Sequence, residues 1–157
     1  MMDKATLLAR INAALELDME VLRRAAQTAY EAATAEENIA ENKYDTLGLE
    51  ASYLATGQAR RTAEIRQALL TYQQLALRDY DAARGIQVSN LVTLEDEDGG
   101  QRRLLLGPEA AGLKIGEGDE LVTVITPRSP LGQQLMGKKV DDEVGLGTQV
   151  FYIIEVA

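Results

Sequence analysis

The chain has no cysteine, no histidine and no tryptophan, and only one phenylalanine. Without cysteine there are no disulfides and no thiolate metal ligands. With histidine also missing, a structural zinc site, which is built from Cys and His, is not expected. Nucleophile–base pairs that depend on Cys or His are excluded for the same reason. No apolar run approaches the roughly 20 residues that a helical membrane span requires. The opening Met-Met-Asp-Lys-Ala-Thr-Leu-Leu-Ala-Arg lacks an apolar signal core, so a cytoplasmic location is expected. Positive charge is also scarce, with 16 Lys and Arg against 25 Asp and Glu, a net charge of −9. Direct duplex binding needs a basic surface, and no long basic run exists. Any nucleic-acid role is therefore expected to run through a protein partner.

At 157 residues the chain fits one domain or two small ones. Apolar residues make up 46%, enough for a packed core, and aromatics only 4%, so that core must be Leu, Val, Ile and Ala. The two halves differ in composition. Residues 3–84 hold no Pro and only Gly48 and Gly57, whereas residues 85–157 hold all three Pro and eleven of the thirteen Gly. This shift sets the expected domains at 1–84 and 85–157.

The first half is rich in strong helix formers. Leu8, Ile11, Leu15, Asp18, Leu22, Ala25, Ala29 and Ala32 follow steps of three and four, with Asp18 breaking an otherwise apolar seam. A second run uses Ile65, Leu69, Tyr72, Ala76 and Tyr80. Small residues recur on both runs, at Ala25, Ala29 and Ala32 and at Ala51, Ala55 and Ala59. The spacing predicts two long helices packed along one stripe, as an antiparallel hairpin or a dimerising coiled coil. The break falls in 36–48, with Asp45-Thr46 as the expected cap of the second helix. That helix is expected to run about 36 residues, roughly 54 Å.

The second half predicts strands at Ile86–Leu94, Arg102–Leu106, Leu121–Thr126 and Gln149–Val156. Glu95-Asp96-Glu97-Asp98-Gly99-Gly100 is an acidic turn between the first two. Pro130–Met136 is a short helix with Ser129 as its cap and Pro130 at its first position. Gly112-Leu113-Lys114-Ile115-Gly116-Glu117-Gly118 is Gly-rich but lacks Walker spacing and precedes a strand, so it reads as a turn. The fold class is α+β.

Residues 129–144, Ser-Pro-Leu-Gly-Gln-Gln-Leu-Met-Gly-Lys-Lys-Val-Asp-Asp-Glu-Val, carry a pattern of Ser-Pro, short apolar helix, Gly-Lys, acidic pair and Val. This resembles the C-terminal signature of the Gre transcript-cleavage factors of bacteria. The order of hairpin and β domain agrees with that family over most of the chain, most closely over 86–156. The resemblance implies an N-terminal antiparallel coiled-coil hairpin and a small FKBP-like, mostly antiparallel β domain with one short helix. It implies a transcription elongation regulator whose partner is RNA polymerase. Ser129, Pro130 and Leu131 would dock on the polymerase, and the hairpin would enter its secondary channel. Such a protein is an accessory factor with no catalytic residue of its own, no resident cofactor and no membrane partner, and is expected to be a monomer.

The hairpin tip decides what such a factor does. In the cleavage-stimulating members an Asp precedes Glu-Asn by three residues. Here Glu41-Asn42 matches, and Asn38 stands in the Asp position. The family's tip acids are thought to help hold the second Mg²⁺ of the polymerase's two-metal centre, a shared ion rather than a cofactor of the factor. Mg²⁺ favours carboxylate ligands, and an Asn carbonyl is neutral and weaker. Glu37 and Asp45 flank the site. Across residues 31–50 six acids face one base, Lys43, so the tip is net −5. The resemblance thus leaves two outcomes, stimulated transcript cleavage or occupancy of the channel without cleavage. Solvation is the plainer reading of the acids.

Two rivals stand beside this. An Ala-rich seam serves a non-catalytic dimerising scaffold equally well. An FKBP-like domain suggests a peptidyl-prolyl isomerase, but such a site needs an aromatic-lined pocket. Phe151 and Tyr152 are adjacent on one strand and so point to opposite faces. Arg60 and Arg61 are expected to pair with acids on the first helix, or to face RNA or the polymerase.

Overall fold

The computed structural model describes residues 2–34 and 43–157, with side chains over 2–32 and 56–157. Helix α1 spans Lys4–Thr34 and α2 spans Lys43–Gln73. The strands are β1 Leu91–Asp96, β2 Gln101–Leu106, β3 Lys114–Ile115, β4 Val122–Ile125, β5 Glu143–Leu146 and β6 Gln149–Val156, with helix α3 Pro130–Leu135 between β4 and β5. The class is α+β, as the sequence predicts.

Asp3 starts α1. Its carboxylate accepts the Thr6 N–H at 2.7 Å, and that bond holds the carboxyl below its usual range. Along α1 the stripe of Leu7, Leu8, Ile11, Leu15, Met19, Leu22, Ala25 and Ala29 is buried or half-buried. Asp18 and Ala32 are exposed. The expected polar break in the seam does not occur, because the stripe passes through Met19 and leaves Asp18 in water. On α2 the inward positions are Gln58, Thr62, Ile65, Leu69 and Tyr72. Ala59 is exposed, while Ala51 and Ala55 lie outside the described side chains.

The two helices run in opposite directions. Each has 31 residues, about 46 Å of helix. The nine residue steps from Thr34 to Lys43 can bridge no more than about 32 Å, too little to return along a parallel partner. Residues 4–12 and 71–73 also fall in the same compact unit. That unit comprises Met1–Asn12 with Thr71–Ala157, and a second unit comprises Ala13–Leu70. In the second, Leu15, Ile65, Ala68 and Leu69 are buried.

Three expectations are corrected here. Helix α2 begins at Lys43, so Asp45 and Thr46 lie inside its first turn rather than capping it. It ends at Gln73, short of the composition change at Arg84-Gly85. Ala76 is then exposed and Tyr80 packs on the sheet core from irregular chain, so helical spacing carried past the helix end. The first strand begins at Leu91, not Ile86. Residues 86–90 form a buried turn instead, with Ser89 at φ 80°. Asn90 accepts the Gln87 N–H at 2.8 Å and donates to the Arg78 carbonyl at 3.2 Å, and Ser89 Oγ accepts the Arg78 N–H at 2.8 Å. Lys4 Nζ donates to the carbonyls of Arg78 and Ser89, and its burial lowers the ammonium pKa.

The sheet order is β3-β4-β2-β1-β6-β5, with β2 and β4 parallel and every other neighbouring pair antiparallel. Val92, Leu94, Leu104, Leu106, Val144, Phe151 and Ile153 form the core of one face, joined by Ile86 and by Leu135 of α3. On the other face Leu91, Leu105, Ile115, Val122 and Val124 are buried. In the same unit Leu7, Ile11 and Tyr72 are fully buried, and Tyr72 donates its hydroxyl to the Glu109 carbonyl at 2.6 Å. A bulge opposite Thr93/Leu94 makes Ile154 the extra residue of β6, which keeps both Ile153 and Val156 on the core face.

Candidate protein-docking site

Helix α3 stands as the sequence predicts. Ser129 is extended at φ −70°, ψ 154°, and its Oγ accepts the Gly132 N–H at 3.1 Å. The same Oγ donates to the Thr126 carbonyl at 2.7 Å. Ser129 therefore spends its hydroxyl inside the protein, fixing the first turn of α3 to the end of β4. Pro130 is exposed at N1, where its missing N–H costs nothing. Leu131 is half-buried and packs against the sheet core. Of the three residues expected to dock, Pro130 presents open surface, Leu131 presents one side, and Ser129 positions both. Ser129→Ala is expected to lower stability by about 1 kcal/mol, read as a shift of the denaturant midpoint at unchanged slope.

Leu131 borders an open trough of about 990 Å³ on the α3 side of the sheet. Its apolar floor includes Leu104, Ile125 and Leu146, and its basic members are Arg102, Arg103 and Lys114. The register places Arg102, Leu104, Thr123, Ile125 and Lys114 on one face, because β2 pairs with β4 and β4 with β3 in step. The Arg102 guanidinium lies 5.1 Å from the Phe151 ring centroid, a cation–π contact that holds it against the sheet. Arg103 donates to the Asp119 carbonyl. The lining also includes Asp119, so three cations and one carboxylate surround the apolar floor. No aromatic side chain lines the trough. Phe151 is buried and Tyr152 exposed, on opposite faces as expected.

Two strands escaped sequence reading. β3 has two residues inside the Gly-rich segment, flanked by turns with Gly112 and Gly116 at positive φ. β5 sits in the acidic end of the Ser-Pro signature, and only Val144 in it is buried. Gly85 lies against Gly137. A side chain at Gly85 would meet the Gly137 carbonyl at 2.2 Å, and its φ is +80°. Gly137 of the Gly-Lys pair thus seats the chain entering the sheet.

The tip residues Glu37, Asn38 and Glu41 lie outside the described residues, and Asp45 is described only as backbone in α2. Among the described residues no cluster of acids could hold a metal ion. No described helix is long and apolar enough to cross a membrane. On α1, Arg23 and Arg24 bond to Glu20 and hold its carboxyl at about 2. Arg61 pairs with Glu64 of its own helix at 3.5 Å, in place of the expected partner on the first helix.

No family model and no curated protein matches this chain. Among solved structures it is similar to the GreA factor homolog 1 (Gfh1) protein of Thermus thermophilus, at 18% identity and a TM-score of 0.38, over 93% of this chain and 94% of that one. A structure of the transcription factor Gfh1 gives 18%, 0.38 and 92% of each chain. Thermus aquaticus Gfh1 gives 18%, 0.37 and 92% of each. At that identity and TM-score the likeness carries no argument about function.

Proposed function

We propose that this protein is a Gre-type regulator that binds bacterial RNA polymerase through α3 and the trough beside it. The observation that carries this reading is the Ser129-capped helix, which holds Pro130 in the open and Leu131 at the border of a basic, apolar trough. The Ser-Pro to Val144 signature supports it from the sequence. On this reading α1 and α2, each about 46 Å of helix, form the hairpin that enters the channel. On this reading the protein works in the cytoplasm as a monomeric accessory factor with no cofactor of its own. It meets nucleic acid only through the polymerase. Asn38 leaves the tip one carboxylate short of the cleavage pattern, and Glu41, Glu37 and Asp45 supply the negative charge that approaches the polymerase Mg²⁺. Channel occupancy without cleavage is the outcome this composition favours.

The test is retention on immobilised core polymerase. The native protein is expected to bind, and a variant carrying Pro130→Glu and Leu131→Glu to bind about tenfold or more weakly, because both changes fall at the centre of the contact. Its folding is checked by circular dichroism. Failure of the native protein to bind removes the reading. With a backtracked elongation complex, binding without transcript shortening is expected, and shortening would assign the cleavage role instead.

A further inference from the structure

The outer edge of β5 is closed by a side chain. Gln134, exposed on α3, donates its Nε2 to the Gly145 carbonyl at 2.9 Å. The Gly145 N–H donates back to Gln134 Oε1 at 3.2 Å. β5 is the last strand of the sheet and pairs only with β6, through Glu143↔Tyr152, Val144↔Phe151, Gly145↔Val150 and Leu146↔Gln149. In an antiparallel ladder one residue exchanges both its N–H and its C=O with the residue opposite. A primary carboxamide carries one acceptor and a donor on the same carbon, and so reproduces that exchange with no strand present. Gln134 occupies the place a further strand would take.

The two edges of the sheet are guarded differently. β3 is only two residues long, carries Lys114, and is flanked by Gly112 and Gly116 at positive φ, all features that resist strand addition. β5 has four residues, no proline and a bare glycine in its middle. Its neighbour β6 exposes Val150, Tyr152 and Ile154. A strand added to β5 would widen the sheet beside these apolar side chains and extend an exposed apolar surface into an interface. The strand that is always available at the same concentration is β5 of a second copy, which pairs antiparallel to itself about a two-fold axis.

We infer that Gln134 is an edge guard: it occupies the backbone groups of Gly145 and keeps two copies of this chain from joining sheet to sheet through β5. The test uses amide hydrogen exchange by NMR on the full chain, together with mass from light scattering. In the native protein the Gly145 amide is expected to exchange at least about tenfold more slowly than an unprotected amide, and the mass to stay monomeric at every concentration. In Gln134→Ala the Gly145 amide is expected to lose that protection in dilute solution, with the Leu94 and Ile153 amides unchanged. At high concentration the variant's mass is expected to rise toward a dimer, and protection at Gly145 to return with it. A native Gly145 amide that exchanges at the unprotected rate overturns the inference without any variant. So does a Gln134→Ala protein that stays monomeric throughout, or one whose mass rises without renewed protection at Gly145.

Discussion

Gly132→Ala is expected to destabilise the protein by about 3 kcal/mol or more, lowering its melting temperature by about 10 °C. Gly132 is the third residue of α3 and is buried. A Cβ there would stand 1.8 Å from the Thr126 carbonyl oxygen and 2.7 Å from its carbon. Both are backbone atoms at the end of β4 and cannot swing away as a flexible side chain would. The Ser129 Oγ, at 2.8 Å from the same Cβ, is itself fixed by its bonds to Gly132 and Thr126. Relief therefore requires lifting α3 from the sheet, which withdraws Leu135 from the core and opens the Ser129 cap. Propensity alone predicts the opposite sign, since Ala favours a helix over Gly by about 1 kcal/mol. The comparison is Gly145→Ala, where a Cβ meets nothing within 4 Å and the cost is expected to stay under about 1 kcal/mol. A melting temperature for Gly132→Ala equal to that of Gly145→Ala would show that α3 is not seated this closely.

Tyr72 is expected to be among the most costly truncations of the described residues. It is fully buried at the end of α2. Its ring lies beside Gly107 and Val124: a Cβ on Gly107 would fall 2.1 Å from the hydroxyl and 2.9 Å from a Val124 methyl. Tyr72→Ala should cost about 3–5 kcal/mol, the range for losing a large buried ring. Tyr72→Phe keeps the ring and removes only the bond to the Glu109 carbonyl, for about 1 kcal/mol. Ionisation supplies an independent check. Burial pushes the phenol well above its ordinary value of about 10, because the anion would be desolvated. The folded state thus favours the protonated form. The contribution is whole below about pH 10, the unfolded value, and erodes as pH rises from there toward the folded value. In urea titrations, native and Tyr72→Phe proteins should keep a constant stability difference to about pH 10, and the gap should narrow above it. A gap that stays constant into strong alkali would mean that Tyr72 titrates normally and is not buried.

What could be read without coordinates is what depends on neighbours along the chain. The Ser129 cap and Pro130 at N1 are contacts within one turn, so Ser-Pro before an apolar run placed α3 correctly. The spacing of Ile65, Leu69 and Tyr72 repeats within one helix and marked its buried side. The apolar, β-branched run in Gln149–Val156 placed β6 to the residue. The errors lie where a distant segment decides. Asp18 left the seam because packing selected Met19, one residue on. Apolar spacing continued to Tyr80 while the helix stopped at Gln73, since Tyr80 is buried by the sheet rather than by a helical neighbour. Residues 86–90 looked like strand, and became a turn because Lys4 and Arg78, far apart in sequence, meet Ser89 and Asn90 there. β3 and β5 are too short to show a period, and each is a strand only because a partner pairs with it.

Composition by itself excluded thiol and imidazole chemistry, and local pattern by itself placed the Ser129 cap and the start of α3. Those conclusions need only residue types and separations of three or four. The tertiary structure alone decided that Gly132 must have no side chain, that Ser129 turns its hydroxyl inward, and that Gln134 reaches the edge of β5. Each of these depends on which backbone atom of another element lies within about 3 Å, a distance at which hydrogen bonds form and an added methyl does not fit.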